Sequence, residues 1–198
     1  MEARQTYDRY YTKEEYFELL RDSLHKYEYL DGRIRMMAGG TEAHSDMVDN
    51  AFFALRARSK ECKVRSSETA VAVNELNRYY FPDVSAVCDE RTEKEAESGI
   101  FRITNPALLV EVISDSSDPG DRTEKFSAYR RLASFREYLL IDSRRYSAET
   151  FYREQPDLWR IGNYFELDQE VELRMLGISV PLSVFYEGVA LEEVSTPD

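Results

Sequence analysis

Three charged residues of this 198-residue chain, Asp83, Glu111 and Lys125, occupy positions where a charge has a chemical use. Glu111 interrupts the apolar run 106–113, which is short, bounded by turn-forming residues, and typical of a central strand covered on both faces. Burying a carboxylate there is costly unless it is protonated, paired or bound to a cation. Alternatively, Glu111 lies at the exposed end of its strand and accepts hydrogen bonds from loop amides.

Asp83 and Lys125 are the candidate partners of Glu111. Asp83 follows Pro82, which cannot donate a hydrogen bond to a strand ladder and therefore marks an edge strand, a strand start or a bulge. We place Asp83 on a strand at the edge of the sheet, beside the strand of Glu111. Lys125 begins the inward face of a helix predicted over 121–133, a position from which lysines commonly extend back to water.

Together these three residue types favour one kind of chemistry. Mg²⁺ prefers one or two carboxylates, with waters and a phosphate oxygen of a substrate completing its coordination shell. Such a metal lowers the pKa of a bound water and stabilises the charge that develops on the phosphate. A nearby ammonium group orients the attacking water or offsets that charge. Asp83, Glu111 and Lys125 therefore indicate metal-assisted hydrolysis of a phosphate ester.

Two further polar residues, Glu28 and His44, lie on well-marked elements. Glu28 belongs to a hairpin whose turn is Asp31 and Gly32, and it alternates with tyrosines, so it faces away from them. His44 lies on the inward stripe of a helix that Thr41 caps. A lone histidine there is commonly a core residue with a satisfied ring nitrogen, so both a structural and a chemical role stay open for it.

The remaining pattern predicts one domain of α/β (α+β) class spanning residues 1–198. A capping box at 12–15 starts a first short helix, and the charged segment 91–99 is helix-prone. Residues 107–142 form a strand–helix–strand unit, for which parallel pairing with a right-handed crossover is the rule. The other predicted strands span 63–74, 79–88, 148–153, 158–161, 170–173 and 178–180, with a helical turn at 181–186.

The composition excludes some classes of protein. The net charge of −12 argues against a broad basic surface that coats nucleic acid, but not against an enzyme that meets a phosphodiester in a cleft through a metal. Cys62 and Cys88 match no metal-ligand spacing, so we expect two ordinary thiols in a reducing cytoplasm. No apolar run approaches the roughly 20 residues of a membrane span, so we expect neither a membrane anchor nor a signal peptide.

The order of these motifs resembles the Uma2 family, a divergent branch of the PD-(D/E)XK restriction-endonuclease-like superfamily. The resemblance extends from about Tyr11 to Glu187 and implies a restriction-endonuclease-like mixed β-sheet flanked by helices, with a C-terminal β-meander. The motifs that carry it are 27–32, His44, Pro82 with Asp83, 109–114, 121–125 with Tyr129, and 137–142.

The resemblance also implies roles for individual residues. It implies that Mg²⁺ or Mn²⁺ is bound by Asp83, Glu111 and the backbone carbonyl of Val112. The superfamily lysine would stand two residues after Glu111, where this chain has Ile113. In Uma2-like sequences that lysine is relocated to the following helix, which here matches Lys125.

Glu28 and His44 match the remaining polar positions of the Uma2 pattern, where they contribute to the metal shell or to water activation. The resemblance thus implies a metal-dependent endonuclease that hydrolyses phosphodiester bonds of DNA. Cutting both strands of a duplex with one site per chain would favour a homodimer. Two alternatives stay open. The net charge and Ile113 favour a non-catalytic member that binds nucleic acid or a protein. In a purely structural protein, Glu111 is simply paired with Lys125.

Overall fold

The computed structural model describes residues 9–37, 39–89, 100–114, 117 and 119–191, so the helix-prone segment 91–99 lies outside the described residues. Within these ranges, no helix has the length and apolar character needed to cross a membrane. In chain order the elements are α1 (Lys13–Asp22), β1 (Tyr27–Leu30), β2 (Arg33–Met36), α2 (Glu42–Arg58), β3 (Lys63–Ser66), β4 (Ala70–Val73), a 3₁₀ turn (Asn74–Leu76), β5 (Arg78–Tyr80), β6 (Val84–Val87), β7 (Arg102–Ile103), β8 (Leu108–Ile113), a π-helical segment (Gly120–Lys125), α3 (Phe126–Tyr129), β9 (Glu137–Asp142), β10 (Ala148–Gln155), β11 (Leu158–Tyr164), β12 (Glu170–Leu173), β13 (Ile178–Pro181) and α4 (Leu182–Phe185).

The main sheet has six strands in the order β11-β10-β9-β8-β6-β3, with β8 and β9 parallel and the other described pairs antiparallel. Every residue of β8 is buried, because α2 and the β12–β13 ribbon cover one face while α3 and the second sheet cover the other. The predicted central strand, its parallel neighbour and the mixed sheet flanked by helices are confirmed. The C-terminal strands also follow the predicted meander, although β12 and β13 pair separately from the main sheet.

The second sheet has five strands in the order β2-β1-β5-β4-β7. Its outer face packs against α1 through an aromatic cluster, in which Tyr16 and Phe17 of the helix contact Tyr29 and Tyr79 of the sheet. The ring centroids lie 5.0 to 5.8 Å apart. Because large aromatic side chains bury much apolar surface, this cluster fixes α1 and holds β1 in place.

The β1–β2 hairpin directs Glu28 into the protein. Its turn consists of Asp31 and Gly32, whose φ values of +51° and +90° are those of a two-residue hairpin turn, as predicted. This turn sets the register that places Glu28 directly opposite Arg35. The tyrosines on either side of Glu28 join the aromatic cluster under α1, so Glu28 lies on the other face of the sheet and is buried.

Two strands predicted as continuous, over 63–74 and 79–88, are each divided between the two sheets. The polar residues 66–69 form a turn closed by a backbone hydrogen bond of 3.1 Å, which separates β3 in the main sheet from β4 in the second sheet. Pro82 similarly separates β5 from β6 and so marks a strand start. Since β6 lies between β8 and β3, the predicted edge position of Asp83 is wrong.

The helix predicted over 121–133 is shorter and less regular than expected. It begins with the π-helical segment Gly120–Lys125 and continues as α3 for a single turn. Beyond that turn, the guanidinium group of Arg153 donates hydrogen bonds of 2.6 and 3.3 Å to the carbonyls of Arg130 and Leu132. A side chain from β10 therefore satisfies the backbone groups where the helix stops.

Cys62 and Cys88 form a disulfide with Cα atoms 4.1 Å apart, so the prediction of two free thiols is wrong. The pairing follows from the β3–β6 register, in which Lys63 lies opposite Val87. One residue further along, the same register places the two cysteines opposite each other. Since disulfides are uncommon in reducing compartments, the thiol argument for a cytoplasmic location no longer holds.

Glu137, the first residue of β9, connects the β12–β13 ribbon to the main sheet. Its carboxylate accepts hydrogen bonds from the backbone N–H groups of Arg174 and Met175, at 3.1 and 2.9 Å, in the turn between β12 and β13. The side chain is fully buried. Burial raises its pKa from 4.5 to about 7, outweighing the opposite effect of the two backbone hydrogen bonds.

We predict that Glu137 makes the fold less stable as the pH rises. Because its pKa is raised on folding, its stabilising contribution is complete below pH 4.5 and is lost as the pH passes through about 7. A shift of this size corresponds to about 3 kcal/mol. In Glu137→Gln this part of the loss should disappear, as measured by urea unfolding at pH 4.5 and pH 8. An unchanged difference between the two pH values in the variant would contradict the assignment.

Candidate active site

Lys125 is buried among three carboxylates. Its Nζ atom lies 2.9 Å from Glu111 Oε2, 2.9 Å from Asp121 Oδ1 and 3.4 Å from Glu28 Oε1. All four side chains are at most 4% exposed. Lys125 thus lies against Glu111, as its candidate partner should, and does not extend to water as lysines at such a position commonly do. Glu111 likewise does not lie at an exposed strand end.

Three elements bring these side chains together. Glu111 lies in β8 on the face that packs against α3 and the second sheet. Asp121 and Lys125 lie four residues apart on the π-helical segment, so both reach the same side of it. Glu28 approaches from β1 of the second sheet. The cluster therefore lies at the seam between the two sheets.

Asp83 lies at the start of β6, beside Glu111. Continuing the β6–β8 register by one residue places Asp83 opposite Glu111, and opposite residues of antiparallel strands point to the same face. Asp83 Oδ2 accepts a hydrogen bond of 2.7 Å from the backbone N–H of Val112. This contact fixes the Asp83 carboxylate against the strand that carries Glu111, and it brings together the three residues for which metal ligation is predicted.

His44 approaches Asp83 from the first turn of α2, with Nε2 at 3.6 Å from Asp83 Oδ2. The predicted Thr41 cap accepts the backbone N–H of His44 at 3.2 Å and so starts the helix at this point. A Cβ atom at Gly40 would lie 2.5 Å from the imidazole Nδ1, so glycine leaves space for the ring. Burial lowers the pKa of His44, but the contact with Asp83 outweighs it and the pKa is raised.

A cavity of about 100 Å³ opens beside these groups. Gly39 and Gly40 form part of its wall, and Met36 and Met37 add an apolar side. Every residue singled out from the sequence lines this one cavity, and Asp121 joins them. The lining thus includes Glu28, His44, Asp83, Glu111, Val112, Asp121 and Lys125.

The charges in this cluster do not balance. Burial raises the pKa of Glu111 well above its ordinary value, and Asp121 and Asp83 add to this effect while Lys125 opposes it. Burial lowers the pKa of Lys125, but Glu111, Glu28 and Asp121 outweigh it and raise the pKa well above its ordinary value. Lys125 therefore stays charged, and the three carboxylates that it contacts exceed the charge it can neutralise. Arg35 compensates only one of them, Glu28, at 2.6 Å.

Sequence reasoning gave no role to three residues of the cluster. Asp121 had a signal, because residues four apart on a helix share a face. Arg35 donates to Glu28 Oε2 at 2.6 and 2.9 Å, and the hairpin register alone places it opposite Glu28. The Tyr129 hydroxyl donates to Glu111 Oε1 at 3.2 Å.

The donor set fits a hard divalent cation. In the described ranges, no three His, Cys, Asp or Glu side chains gather in an arrangement that holds a metal. Mg²⁺ requires fewer, because one or two carboxylates and waters satisfy it. Asp83, Glu111 and the carbonyl of Val112 supply such oxygens. Asp121 Oδ1, which lies 2.9 Å from Lys125 Nζ, adds a further buried anionic oxygen at the cavity.

The sequence model of the Uma2 family, described as "Putative restriction endonuclease", matches residues 13–184. The chain belongs to the Uma2 family. Two uncharacterized proteins of Synechocystis sp. are similar over most of their length. One, slr1290, is 32% identical over 89% of this chain and 92% of its own. The other, sll1609, is 27% identical over 84% of this chain and 94% of its own.

A crystal structure of a "putative nuclease belonging to DUF820" from Anabaena variabilis superposes on this Uma2 chain with a TM-score of 0.64. The match covers 81% of this chain and 89% of that chain, at 14% sequence identity. At this identity the similarity is one of fold. The predicted family and the predicted mixed α/β fold are thus both confirmed.

We predict unequal effects on stability for substitutions of the two partners in the Lys125–Glu111 pair. Lys125→Met leaves buried carboxylates without their cation and should lower the free energy of unfolding by about 3–5 kcal/mol at pH 7. Glu111→Gln relieves the excess negative charge and should change it by less than about 1 kcal/mol. Urea unfolding at pH 7 measures both. Equal losses in the two variants would show that the pair is balanced.

Proposed function

We propose that this Uma2 protein is a divalent-metal-dependent endonuclease that hydrolyses phosphodiester bonds of DNA. One observation carries the proposal: Asp83 and Glu111 lie side by side at a cavity that also receives the buried ammonium group of Lys125. Two carboxylates and a cation at one cavity match the needs of phosphodiester hydrolysis. The family description and the nuclease title of the structural neighbour agree with this function.

Asp83, Glu111 and the carbonyl of Val112 would hold Mg²⁺ or Mn²⁺. When bound, such an ion lowers the pKa of a water ligand and offsets negative charge on the phosphate. Lys125 supplies the positive charge that the superfamily places where this chain has Ile113, and its contact with Glu111 at 2.9 Å puts that charge at the cavity. His44, beside Asp83, is a group that holds a proton at the cavity wall.

A purely structural pair between Glu111 and Lys125 does not account for the cluster. One ammonium group contacts three buried carboxylates. Its three N–H donors can use all three as acceptors, but a single carboxylate already balances its charge. Keeping this excess of buried negative charge is unfavourable for folding. A cluster that costs stability and lies open to a cavity is typical of a functional site.

The net charge of −12 restricts which parts of the protein surface can bind DNA. A surface of this charge repels the phosphate backbone, so contact depends on the cavity and its cations. Cleavage of both strands with one site per chain favours two copies acting together, and we propose a homodimer for this reason. A cytoplasmic location also stays a prediction.

We predict that Asp83→Asn and Glu111→Gln each reduce DNA cleavage by about 100-fold or more, because each removes a ligand charge from the site. The matched control is Glu172→Gln, an exposed carboxylate on β12 that is 52% exposed and pairs with Arg174. It should cleave like the wild type. Cleavage is measured on supercoiled plasmid, with circular dichroism as a check on folding. Full activity in both site variants would refute the assignment.

Removal of divalent metal provides a separate test. We expect EDTA to abolish cleavage, and Mg²⁺ or Mn²⁺ in excess to restore it, because carboxylate and carbonyl oxygens bind these hard ions. A non-catalytic member of the fold behaves differently. It would bind duplex DNA with a steep salt dependence and ignore the metal, as gel-shift titrations with and without Mn²⁺ would reveal.

A further inference from the structure

Both oxygens of Glu111 already have partners. Oε2 receives the Lys125 ammonium group at 2.9 Å, and Oε1 receives the Tyr129 hydroxyl at 3.2 Å. Lys125 is one of the two buried residues of the π-helical segment, and its ammonium group lies against the carboxylate that the proposed function assigns to the metal. The ammonium group of Lys125 thus contacts the carboxylate at which the proposed divalent metal would bind.

We propose that Lys125 is the resident cation of the metal-free site and competes with Mg²⁺ or Mn²⁺ for Glu111. In this arrangement, Asp121 and Glu28 are the carboxylates that keep Lys125 once Glu111 binds metal. The inference rests on the proposed function for the identity of the metal site. It adds a role for two carboxylates that the chemistry at the metal does not require.

Asp121 has the properties of such a spare partner. Its Oδ1 atom lies 2.9 Å from Lys125 Nζ, yet the contact lacks hydrogen-bond geometry, and the side chain is only 2% exposed. It forms an ion pair with Lys125 without a directed bond. The contact that has hydrogen-bond geometry is the one to Glu111. When Glu111 turns to a metal, Asp121 is already in place to accept the released donor.

Glu28 is the second carboxylate that can keep Lys125 paired, and its own position is fixed. Two bonds from Arg35, at 2.6 and 2.9 Å, hold its Oε2 atom, while Oε1 lies 3.4 Å from Lys125. Arg35 in turn contacts Glu124 at 3.2 Å. Lys125 therefore keeps at least one fixed negative neighbour whether or not Glu111 binds metal, so its buried charge is never left without compensation.

The competition has a measurable consequence. Binding of metal to Glu111 must displace a charge-assisted hydrogen bond, so the metal affinity of the wild type is lower than that of the isolated carboxylates. Removing Lys125 removes the competitor. By thermodynamic linkage, a metal that replaces Lys125 also stabilises the lysine-free variant more than it stabilises the wild type.

The test is a calorimetric titration of Mn²⁺ alone into the wild type, Lys125→Met and Arg35→Met. Arg35 is the matched control, because it is a half-buried cation of the same cluster that contacts Glu28 and Glu124 but not Glu111. Removing either positive charge makes the cluster more negative and therefore strengthens metal binding to some extent. Direct competition predicts binding at least about tenfold tighter for Lys125→Met, and less than about threefold tighter for Arg35→Met.

The outcomes separate this inference from the proposed function. If the wild type binds Mn²⁺ and Lys125→Met binds no more tightly than Arg35→Met, competition is overturned while the metal site stands. If no variant binds Mn²⁺, the proposed metal-dependent function itself fails. Binding that appears only in Lys125→Met supports competition most strongly.

Lys125→Met is expected to be destabilised, so folding gives a second measurement. Urea unfolding is followed at increasing Mn²⁺ concentration for the wild type and for Lys125→Met. Competition predicts a larger rise of the unfolding midpoint in the variant, or recovery of a variant that is unfolded without metal. An equal or smaller rise, or no recovery, overturns the inference.

Discussion

The burial of one ammonium group among three carboxylates is the interaction on which the rest of this structure depends. Charges taken out of water are tolerated only when each has a fixed partner. Lys125 meets this condition through Glu111, Asp121 and Glu28, which come from a central strand, a π-helical segment and a second sheet. Only Asp121 comes from the segment that carries Lys125, so the complete set of partners exists only when the strand and the second sheet are also in place.

The two sheets together supply fixed partners for the buried charge of Lys125. The main sheet provides Glu111 and, at the start of β6, Asp83. The aromatic cluster under α1 fixes the second sheet, and with it Glu28, at the other side of the cavity. Large apolar contacts far from the cavity therefore set the distances between its charges. This division suits a functional site, because stability lost to unbalanced charge is recovered elsewhere in the core.

The local parts of this arrangement follow from the sequence. The alternation around Glu28, its turn, the Thr41 cap and the apolar run around Glu111 are short-range patterns, and each predicted the observed element. Arg35 was also within reach, since the turn alone fixes its register. The sheet to which each strand belongs could not be predicted from the sequence, because it depends on where distant segments pair. For that reason the two long strands were predicted as continuous, and the pairing of Cys62 with Cys88 was missed.

The disulfide stabilises the connection between the two sheets by restricting the unfolded chain. It joins residues 26 apart in sequence, and the segment between them leaves the main sheet after β3, forms β4 and β5, and returns as β6. Closing a ring of this length removes conformational freedom worth about 3 to 4 kcal/mol from the unfolded state in the chain-entropy description. Asp83 lies within this ring. The chain between the two sheets is thus tethered covalently at both ends, at Cys62 and Cys88.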